Sequence, residues 1–282
     1  MLFDRYRNKV SGVALCLALI FFFSLSYAQY GPIYQKAGSS SGDLLGFSVA
    51  GAGDVDGDGK ADFIIGAFAA DPGGRNAAGS AFVHSGATGS LLYEKNGAFA
   101  EDLLGVSVAG AGDVDGDGKA DFIIGAPSNN IGTNVGSAFV YSGATGALLY
   151  SRSASFVRFG YSVAGAGDVN GDGKADFIVG AYNADPGGVT DAGSALVYSG
   201  ATGSVLHQIN GTVEFERAGY AVAGGGDVDG DGRDDFIVGS WGSEFASPPL
   251  VGKAIVYSGA TGAVIHQKNG AVAGDDFGTQ VA

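Results

Sequence analysis

Four short segments of this 282-residue chain carry oxygen-bearing side chains at alternate positions. The first, residues 53–67, reads GDVDGDGKADFIIGA; it returns unchanged at 112–126 and with small changes at 167–181 and 226–240. From the first Asp of each copy, positions 1, 3, 5 and 9 hold Asp or Asn, position 6 is Gly, and position 7 offers its main-chain carbonyl. A hard cation such as Ca²⁺ takes about six to eight oxygen ligands, and a tight Gly-containing turn can aim alternate side chains at it. The spacing therefore predicts about four Ca²⁺ sites.

The predicted metal ligands occupy equivalent positions in all copies, with one carboxylate replaced by the amide of Asn170. At position 7 the predicted ligand is the carbonyl of a Lys or Arg. The full set is Asp54, Asp56, Asp58, Lys60, Asp62, Asp113, Asp115, Asp117, Lys119, Asp121, Asp168, Asn170, Asp172, Lys174, Asp176, Asp227, Asp229, Asp231, Arg233 and Asp235. Like charges this close repel one another unless a cation lies between them. A merely polar surface turn, the simpler alternative, is therefore a weak explanation for a pattern that recurs in every copy.

An EF-hand is a second alternative, because positions 1 to 6 also match its loop. That loop needs a bidentate Glu at position 12 and helices on both sides. Position 12 is instead Ile65, Ile124, Val179 or Val238 in the four copies. Residues 63–65 and their equivalents have the apolar, β-branched character of a strand, and no helices flank the loop. The EF-hand interpretation fails on both counts, and a dockerin-type pair of loops is disfavoured for the same reason.

The acidic segments belong to a repeat that fills the chain after about its first thirty residues. Their first Asp residues are Asp54, Asp113, Asp168 and Asp227, which gives steps of 59, 55 and 59 residues. Such a period is typical of an array of small units that bury their apolar faces against one another. The repeats are placed at about 45–103, 104–158, 159–217 and 218–276, with a partial unit at 277–282.

Each unit predicts four short strands, which in the first copy are 46–52, 62–67, 80–85 and 90–95. Val, Ile, Phe and Tyr cluster in them, and the 52 Gly residues of the chain argue against helices. The first strand has mostly small residues, which suits the innermost strand of a radial blade. The segment SGATG, which begins at Ser85 in the first copy, predicts a hairpin turn between the third and fourth strands. We expect an all-β protein: a β-propeller of four-stranded antiparallel blades, with four complete units plus the start of a fifth, in an incomplete ring or open arc.

A family resemblance follows from these residues. A bulky residue plus Gly, then DxDxDGxxD, then a strand ending in Gly-Ala resembles the FG-GAP repeat of integrin α-subunit propellers and of many bacterial secreted proteins; Ala126 and Pro127 complete the literal GAP. The resemblance covers residue 45 to the C-terminus. It implies calcium in the hairpin between the first and second strands of each blade, held by the residues given above. It also implies that partners bind the opposite face, at the loops between strands two and three and between blades.

The repeat number departs from the integrin pattern of seven blades. Here four complete units precede residues 277–282, and residues 265–282 match 33–50, so both ends carry the same portion of a unit. We expect either a truncated reading of a longer protein or an open arc that closes by self-association.

The N-terminus predicts a signal peptide, residues 1–28. Arg5, Arg7 and Lys9 precede an apolar stretch at 13–25 and a small-residue cleavage site ending at Ala28. The alternative is an uncleaved membrane anchor, although the apolar stretch is short for a bilayer span. We therefore expect a secreted, extracellular or cell-surface protein. Its processed form would have no cysteine, and calcium would substitute for disulfides.

The net charge of −14 arises mostly from the metal loops, which hold fifteen of the 29 acidic residues. Strong acidity argues against nucleic acid as a partner. No catalytic residue is assigned, since His84, His207 and His266 replace Tyr at equivalent positions and no Ser, His and Asp constellation can be placed. Acidic residues in the connecting loops are candidates for acid and base, but solvated charges are the simpler interpretation: Glu101, Asp102, Glu214, Glu216, Asp275 and Asp276.

The sequence favours a calcium-binding propeller that acts as a binding or adhesion module without turnover, with an extracellular protein or polysaccharide as its ligand. The alternative is a carbohydrate-active propeller, a lectin or polysaccharide lyase, for which a basic and aromatic cluster would be the signature. The four loops after the second strand differ while the rest repeats, at 68–78, 127–135, 182–192 and 241–251. The only Trp, Trp241, begins one of them and is a candidate ligand contact.

Overall fold

Short runs of Val, Ile, Phe and Tyr form strands throughout the described part of the computed structural model. The structure describes residues 34–38, 40, 42–128, 136–154, 158–243, 246 and 248–282. The predicted signal peptide lies outside them. Residues Lys36–Ala282 form one compact unit. Within the described residues, no helix is long and apolar enough to cross a membrane.

Sixteen strands and two 3-10 turns, at Pro72–Gly74 and Pro186–Gly188, are the regular elements of the described chain. The strands are β1 (Ser48–Gly53), β2 (Asp62–Ala67), β3 (Ser80–His84), β4 (Leu91–Asn96), β5 (Ser107–Gly112), β6 (Asp121–Ala126), β7 (Ser137–Tyr141), β8 (Leu148–Ser153), β9 (Ser162–Gly167), β10 (Asp176–Ala181), β11 (Ser194–Tyr198), β12 (Val205–Asn210), β13 (Ala218–Gly226), β14 (Asp235–Ser240), β15 (Lys253–Tyr257) and β16 (Val264–Asn269).

The strands form four sheets, each an antiparallel meander in chain order. Blade 1 contains β1–β4, blade 2 β5–β8, blade 3 β9–β12 and blade 4 β13–β16. In blade 1 the predicted strands agree with the observed ones to within two residues. The predicted SGATG turn is also present: the N–H of Gly89 donates to the carbonyl of Ser85 (2.7 Å), with Gly89 at a φ of 71°. The prediction of an all-β propeller of four-stranded blades is confirmed.

The apolar core lies between successive blades. Ile64 and Val83 of blade 1 pack with Val108 and Phe122 of blade 2. Equivalent clusters join blade 2 to blade 3 and blade 3 to blade 4. Blades 2 and 3 are covered by neighbouring blades on both faces, and their second strands, β6 and β10, are buried at every position. The second strands of all four blades read DFIIGA or a close variant.

The first strands of the blades lie side by side, where side-chain volume is most restricted. The N–H of Val108 in β5 donates to Ser48 Oγ in β1 at 3.0 Å. A Cβ added at Gly110 would lie 2.9 Å from the carbonyl oxygen of Gly51, and one added at Gly165 would lie 2.8 Å from that of Gly110. Backbone approach therefore explains the small residues of these strands, which the sequence predicted to be innermost.

The outer face of blade 1 is not covered by another sheet in the described chain. Val49 is 67% exposed, whereas the equivalent Val108, Val163 and Val222 are 5%, 5% and 8% exposed because each packs on the preceding blade. The described blades therefore form an open arrangement, as the sequence predicts.

Candidate metal centres

The hairpin between β1 and β2 folds its alternate carboxylates around a tight turn. Asp54 accepts the N–H of Gly57 on Oδ1 (2.8 Å) and that of Gly59 on Oδ2 (2.9 Å). Asp56 and Asp58 each accept the N–H two residues further on, at 3.0 and 2.8 Å. Gly57 and Gly59 have φ values of 80° and 84°, a region that other residues rarely adopt. The Gly positions thus let the chain reverse and bring the three carboxylates onto one side.

The Asp at position 9 has a different environment from the other predicted ligands. Asp62, Asp121, Asp176 and Asp235 are all buried, with at most 2% exposure. Asp121 accepts the N–H groups of Val114 (2.8 Å) and Asp115 (3.3 Å) on Oδ2, and that of Gly143 in the β7–β8 turn on Oδ1 (2.8 Å). This residue therefore ties the predicted metal loop to the second hairpin of its own blade.

Burial raises the pKa of Asp121 and of Asp176 to about 6, although hydrogen bonds from backbone N–H groups to the two carboxylates lower it. Desolvation disfavours the charged form of a carboxyl group, and a neighbouring acid adds to the effect. A bound cation would favour the ionised form instead. The carboxyl groups of Asp121 and Asp176 are thus costly to ionise in the protein alone.

Three of the four loops hold carboxylate oxygens within 4.8 Å of one another. The groups are Asp54, Asp56 and Asp58; Asp113, Asp115 and Asp121; and Asp227, Asp229 and Asp235. Clustered carboxylate oxygens of this kind suit a hard cation such as Ca²⁺, and the available main-chain carbonyls add ligands of the same type. The donor set therefore fits calcium in residue type and in proximity.

The remaining loop contains Asn170 at position 3. Its Nδ2 donates to Asp172 Oδ2 (2.8 Å), and its Oδ1 accepts the N–H of Asp172 (2.9 Å). Asp168 accepts the N–H groups of Gly171 and Gly173, as Asp54 does in blade 1. The third loop thus has the same turn with one fewer charge.

Side chains at position 7 link neighbouring loops, which the sequence did not predict. Lys119 Nζ of blade 2 donates to the carbonyl of Asp56 in blade 1 (2.7 Å), and Lys174 Nζ of blade 3 donates to that of Asp115 in blade 2 (2.6 Å). A backbone bond accompanies the first link, from the N–H of Ala120 to the carbonyl of Asp54 (3.0 Å). The recurrence of Lys at position 7 in three copies was the only sign of this link in the sequence. The acceptor is seen only when the blades pack together.

We expect Lys119→Met to lower the free energy of unfolding by about 1–2 kcal/mol, because it removes a charge-assisted hydrogen bond between blades. Lys60→Met is the matched control, since Lys60 occupies position 7 of blade 1 and is exposed. Urea unfolding with excess chelator measures both variants. Equal losses for the two would contradict the structural role of the Lys119 link.

The acidic residues of the connecting loops serve mainly as backbone acceptors. Asp102 accepts the N–H of Phe99 (2.8 Å), and Asp275 accepts that of Ala271 (2.6 Å). Glu216 accepts the N–H of Thr212 (3.0 Å) and pairs with Lys253 at 2.7 Å. These contacts stabilise local turns.

The histidines occupy structural positions on strands. Tyr93 Oη donates to the carbonyl of Gly143 in the next blade (2.7 Å), and His207 Nε2 makes the equivalent contact with the carbonyl of Gly259 (2.6 Å). His84 stacks on Phe63, with ring centroids 5.4 Å apart. Burial, followed by the charge of Lys36, lowers the pKa of His84. These arrangements agree with substitution of Tyr by His within the repeat.

Comparison with known proteins identifies the repeat. The FG-GAP repeat family matches residues 45–84, 104–141 and 159–198, each of which begins with the bulky residue and Gly and extends through the acidic loop. The chain therefore contains FG-GAP repeats in these three segments.

Its curated relatives include integrin α subunits. Integrin alpha-5 of Xenopus laevis is 29% identical over 259 residues, which is 85% of this chain and 24% of that protein. Integrin alpha pat-2 of Caenorhabditis briggsae is 30% identical over 253 residues (78% and 20%), and integrin alpha-V of Gallus gallus is 33% identical over 174 residues (58% and 16%). The chain thus resembles integrin α subunits over most of its length but spans only about a quarter or less of theirs.

Two solved structures are similar at low sequence identity. The Bacillus licheniformis rhamnogalacturonan lyase PL11 has a TM-score of 0.49 at 16% identity, covering 85% of this chain and 54% of that one. The Dos1 propeller has a TM-score of 0.45 at 13% identity, covering 77% and 47%.

Proposed function

We propose that this protein is a secreted or cell-surface module that binds Ca²⁺ in the hairpins between the first and second strands of its blades and engages an extracellular ligand without turnover. The clustered carboxylates of these hairpins carry the proposal. The proposed ligands are the loop residues predicted from the sequence, with about four ions in all. Similarity to integrin α subunits supports a role in binding or adhesion.

Calcium would act mainly as a structural ligand. It would neutralise the crowded loop carboxylates and, through the links of Lys119 and Lys174, hold neighbouring blades in register. The only Cys of the sequence, Cys16, lies in the predicted signal peptide. Ion binding would therefore take the place of disulfide bonds in stabilising the processed chain outside the cell, where calcium is abundant.

The test is a calcium titration of residues 29–282, followed by thermal unfolding and by calorimetric counting of ions. An ion that binds only the folded state at a concentration of about 100 times its dissociation constant adds about 2.7 kcal/mol of stability. One such site would raise Tm by about 5–10 °C. Asp117→Ala is expected to lower the number of bound ions by one, whereas Glu94→Gln, which removes a charge outside the loops, leaves it unchanged. A Tm that does not respond to calcium would overturn the proposal.

A further inference from the structure

A cationic and aromatic surface lies at the end of blades 3 and 4 opposite the metal loops. Three positions form this end in every blade: the residue before the bulky residue and Gly, the residue after that Gly, and the residue after the second strand. In blades 3 and 4 these six residues, here called the aromatic–arginine patch, are Arg158, Tyr161, Tyr182, Arg217, Tyr220 and Trp241. The first strand runs from this end to the acidic loop, so the two are about 20 Å apart.

Backbone strain marks the first of the three positions. Arg158 and Arg217 have φ values of 62° and 58°, and Leu44, Leu103 and Asp276 share this left-handed conformation at equivalent positions. A residue with a side chain pays of order 1 kcal/mol for it. A backbone bond from the N–H of Arg217 to the carbonyl of Asp191 (3.1 Å) helps to hold it. The fold thus maintains a strained position in each blade, and in two successive blades that position is Arg.

The rings of the patch form one continuous group across two blades. Tyr161 lies 4.5 Å from Tyr182 and 5.2 Å from Tyr220, and Tyr220 lies 5.3 Å from Trp241, all between ring centroids. The Tyr161 hydroxyl contacts that of Tyr220 at 3.2 Å. All four residues are partly exposed. Their aromatic side chains therefore lie together at the surface.

The Arg217 guanidinium lies 4.6 Å from the centre of the Trp241 ring, and its buried Nε has no hydrogen-bond partner. Two carboxylates beside the patch accept neutral donors: Asp276 accepts Trp241 Nε1 (2.9 Å), and Asp191 accepts Asn183 Nδ2 (2.8 Å). Among the described residues, the one ion pair within 4.0 Å is that between Lys253 and Glu216. Within this part of the chain, Arg217 therefore has no carboxylate at that distance. The Arg217 guanidinium thus stacks on the Trp241 ring instead of forming an ion pair, in a chain whose net charge is strongly negative.

These features match an acidic sugar in three ways. A pyranose ring offers a C–H face to a partly exposed aromatic ring, its hydroxyl groups pair with tyrosine hydroxyls, and a carboxylate pairs with a guanidinium. The equivalent positions in blades 1 and 2 are apolar: Leu44, Phe47, Phe68, Leu103, Val106 and Pro127. A protein partner of ordinary interface size, about 800 Å² per side, would extend over these apolar positions too. A short saccharide needs only the six residues of the patch.

We propose that the aromatic–arginine patch binds a uronate-bearing oligosaccharide. This assignment rests on the proposed binding function and names its ligand class. Arg217 and Arg158 contact the carboxylate, and Trp241 and Tyr220 supply the stacking surface.

Trp241 is the only Trp of the chain, so intrinsic fluorescence reports directly on the patch. The probe is a glucuronate-containing hexasaccharide, added to calcium-loaded protein, with its carboxyl-reduced form and a polyglutamate peptide as comparison probes. We expect a saturable fluorescence change with the acidic hexasaccharide, and at least tenfold weaker binding of the reduced form. Arg217→Gln is expected to weaken binding at least tenfold, while Arg75→Gln, which changes an exposed Arg in blade 1, has no effect.

Arg158→Gln is a second variant, should Arg217→Gln fail to fold. The calcium-induced rise in Tm is measured for every variant, so loss of sugar binding with an intact calcium response separates this proposal from the metal proposal. No response to the hexasaccharide, or equal binding of the reduced form, would overturn it. Tighter binding of polyglutamate would instead assign the patch to an acidic protein.

Discussion

Asp121→Ala is expected to destabilise the protein by about 3 kcal/mol even when a chelator removes all calcium. Asp121 is fully buried and accepts three backbone N–H groups, from Val114, Asp115 and Gly143. Each buried donor left without an acceptor costs about 1–3 kcal/mol. Relief of the burial that raises the pKa of Asp121 to about 6 offsets part of this loss. Urea unfolding in chelator measures the remainder.

Asp117→Ala is the matched comparison from the same loop. Asp117 is exposed and accepts only the N–H of Lys119 through its side chain (2.9 Å). Its removal is expected to cost less than about 1 kcal/mol in chelator but to abolish the stabilisation that calcium gives through this loop. If both variants lost equal stability in chelator, position 9 would have no structural role beyond that of a metal ligand.

The contrast between Asp121 and Asp117 marks the limit of what the loop sequence predicts. Spacing of Asp and Gly within nine residues predicted the turn and the carboxylate clusters, because those contacts are local. It did not distinguish Asp121 from Asp117, because the Gly143 N–H that engages Asp121 lies 22 residues away in another hairpin. The strands were predictable for the same local reason, through β-branched clusters and turn residues.

The sequence did not predict which side chains contact one another across neighbouring blades. Tyr161 and Tyr220 are 59 residues apart and looked like ordinary repeat positions, although their hydroxyls meet at 3.2 Å. Trp241 alone was singled out, by its rarity and its divergent loop. The hydrogen-bond acceptor of Lys119 could not be predicted either, because it belongs to the preceding repeat. A repeat sequence shows which positions are equivalent, but which of them meet depends on how the blades stack.

The glycines of the FG-GAP signature carry the second large expected effect. Gly125, the Gly of the GAP segment in blade 2, lies against the Gly of the FG pair in blade 3: a Cβ added at Gly125 would come within 2.0 Å of the carbonyl oxygen of Gly160. The same approach joins Gly66 to Gly105 and Gly180 to Gly219. Both sides of the contact are backbone, so neither can move without displacing a blade. The two halves of the signature are therefore one inter-blade contact.

Gly125→Ala is accordingly expected to lower the free energy of unfolding by about 3 kcal/mol or more, at the upper end of what overpacking costs. Gly51→Ala is the control, because an added Cβ there meets no atom within 4 Å and its φ is not in the left-handed region. That change is expected to be neutral or to stabilise by about 0.4–1 kcal/mol through the unfolded chain. Urea midpoints in saturating calcium compare the two. A Gly125→Ala variant within about 1 kcal/mol of the parent would instead mean that neighbouring blades adjust to the added methyl group at little cost.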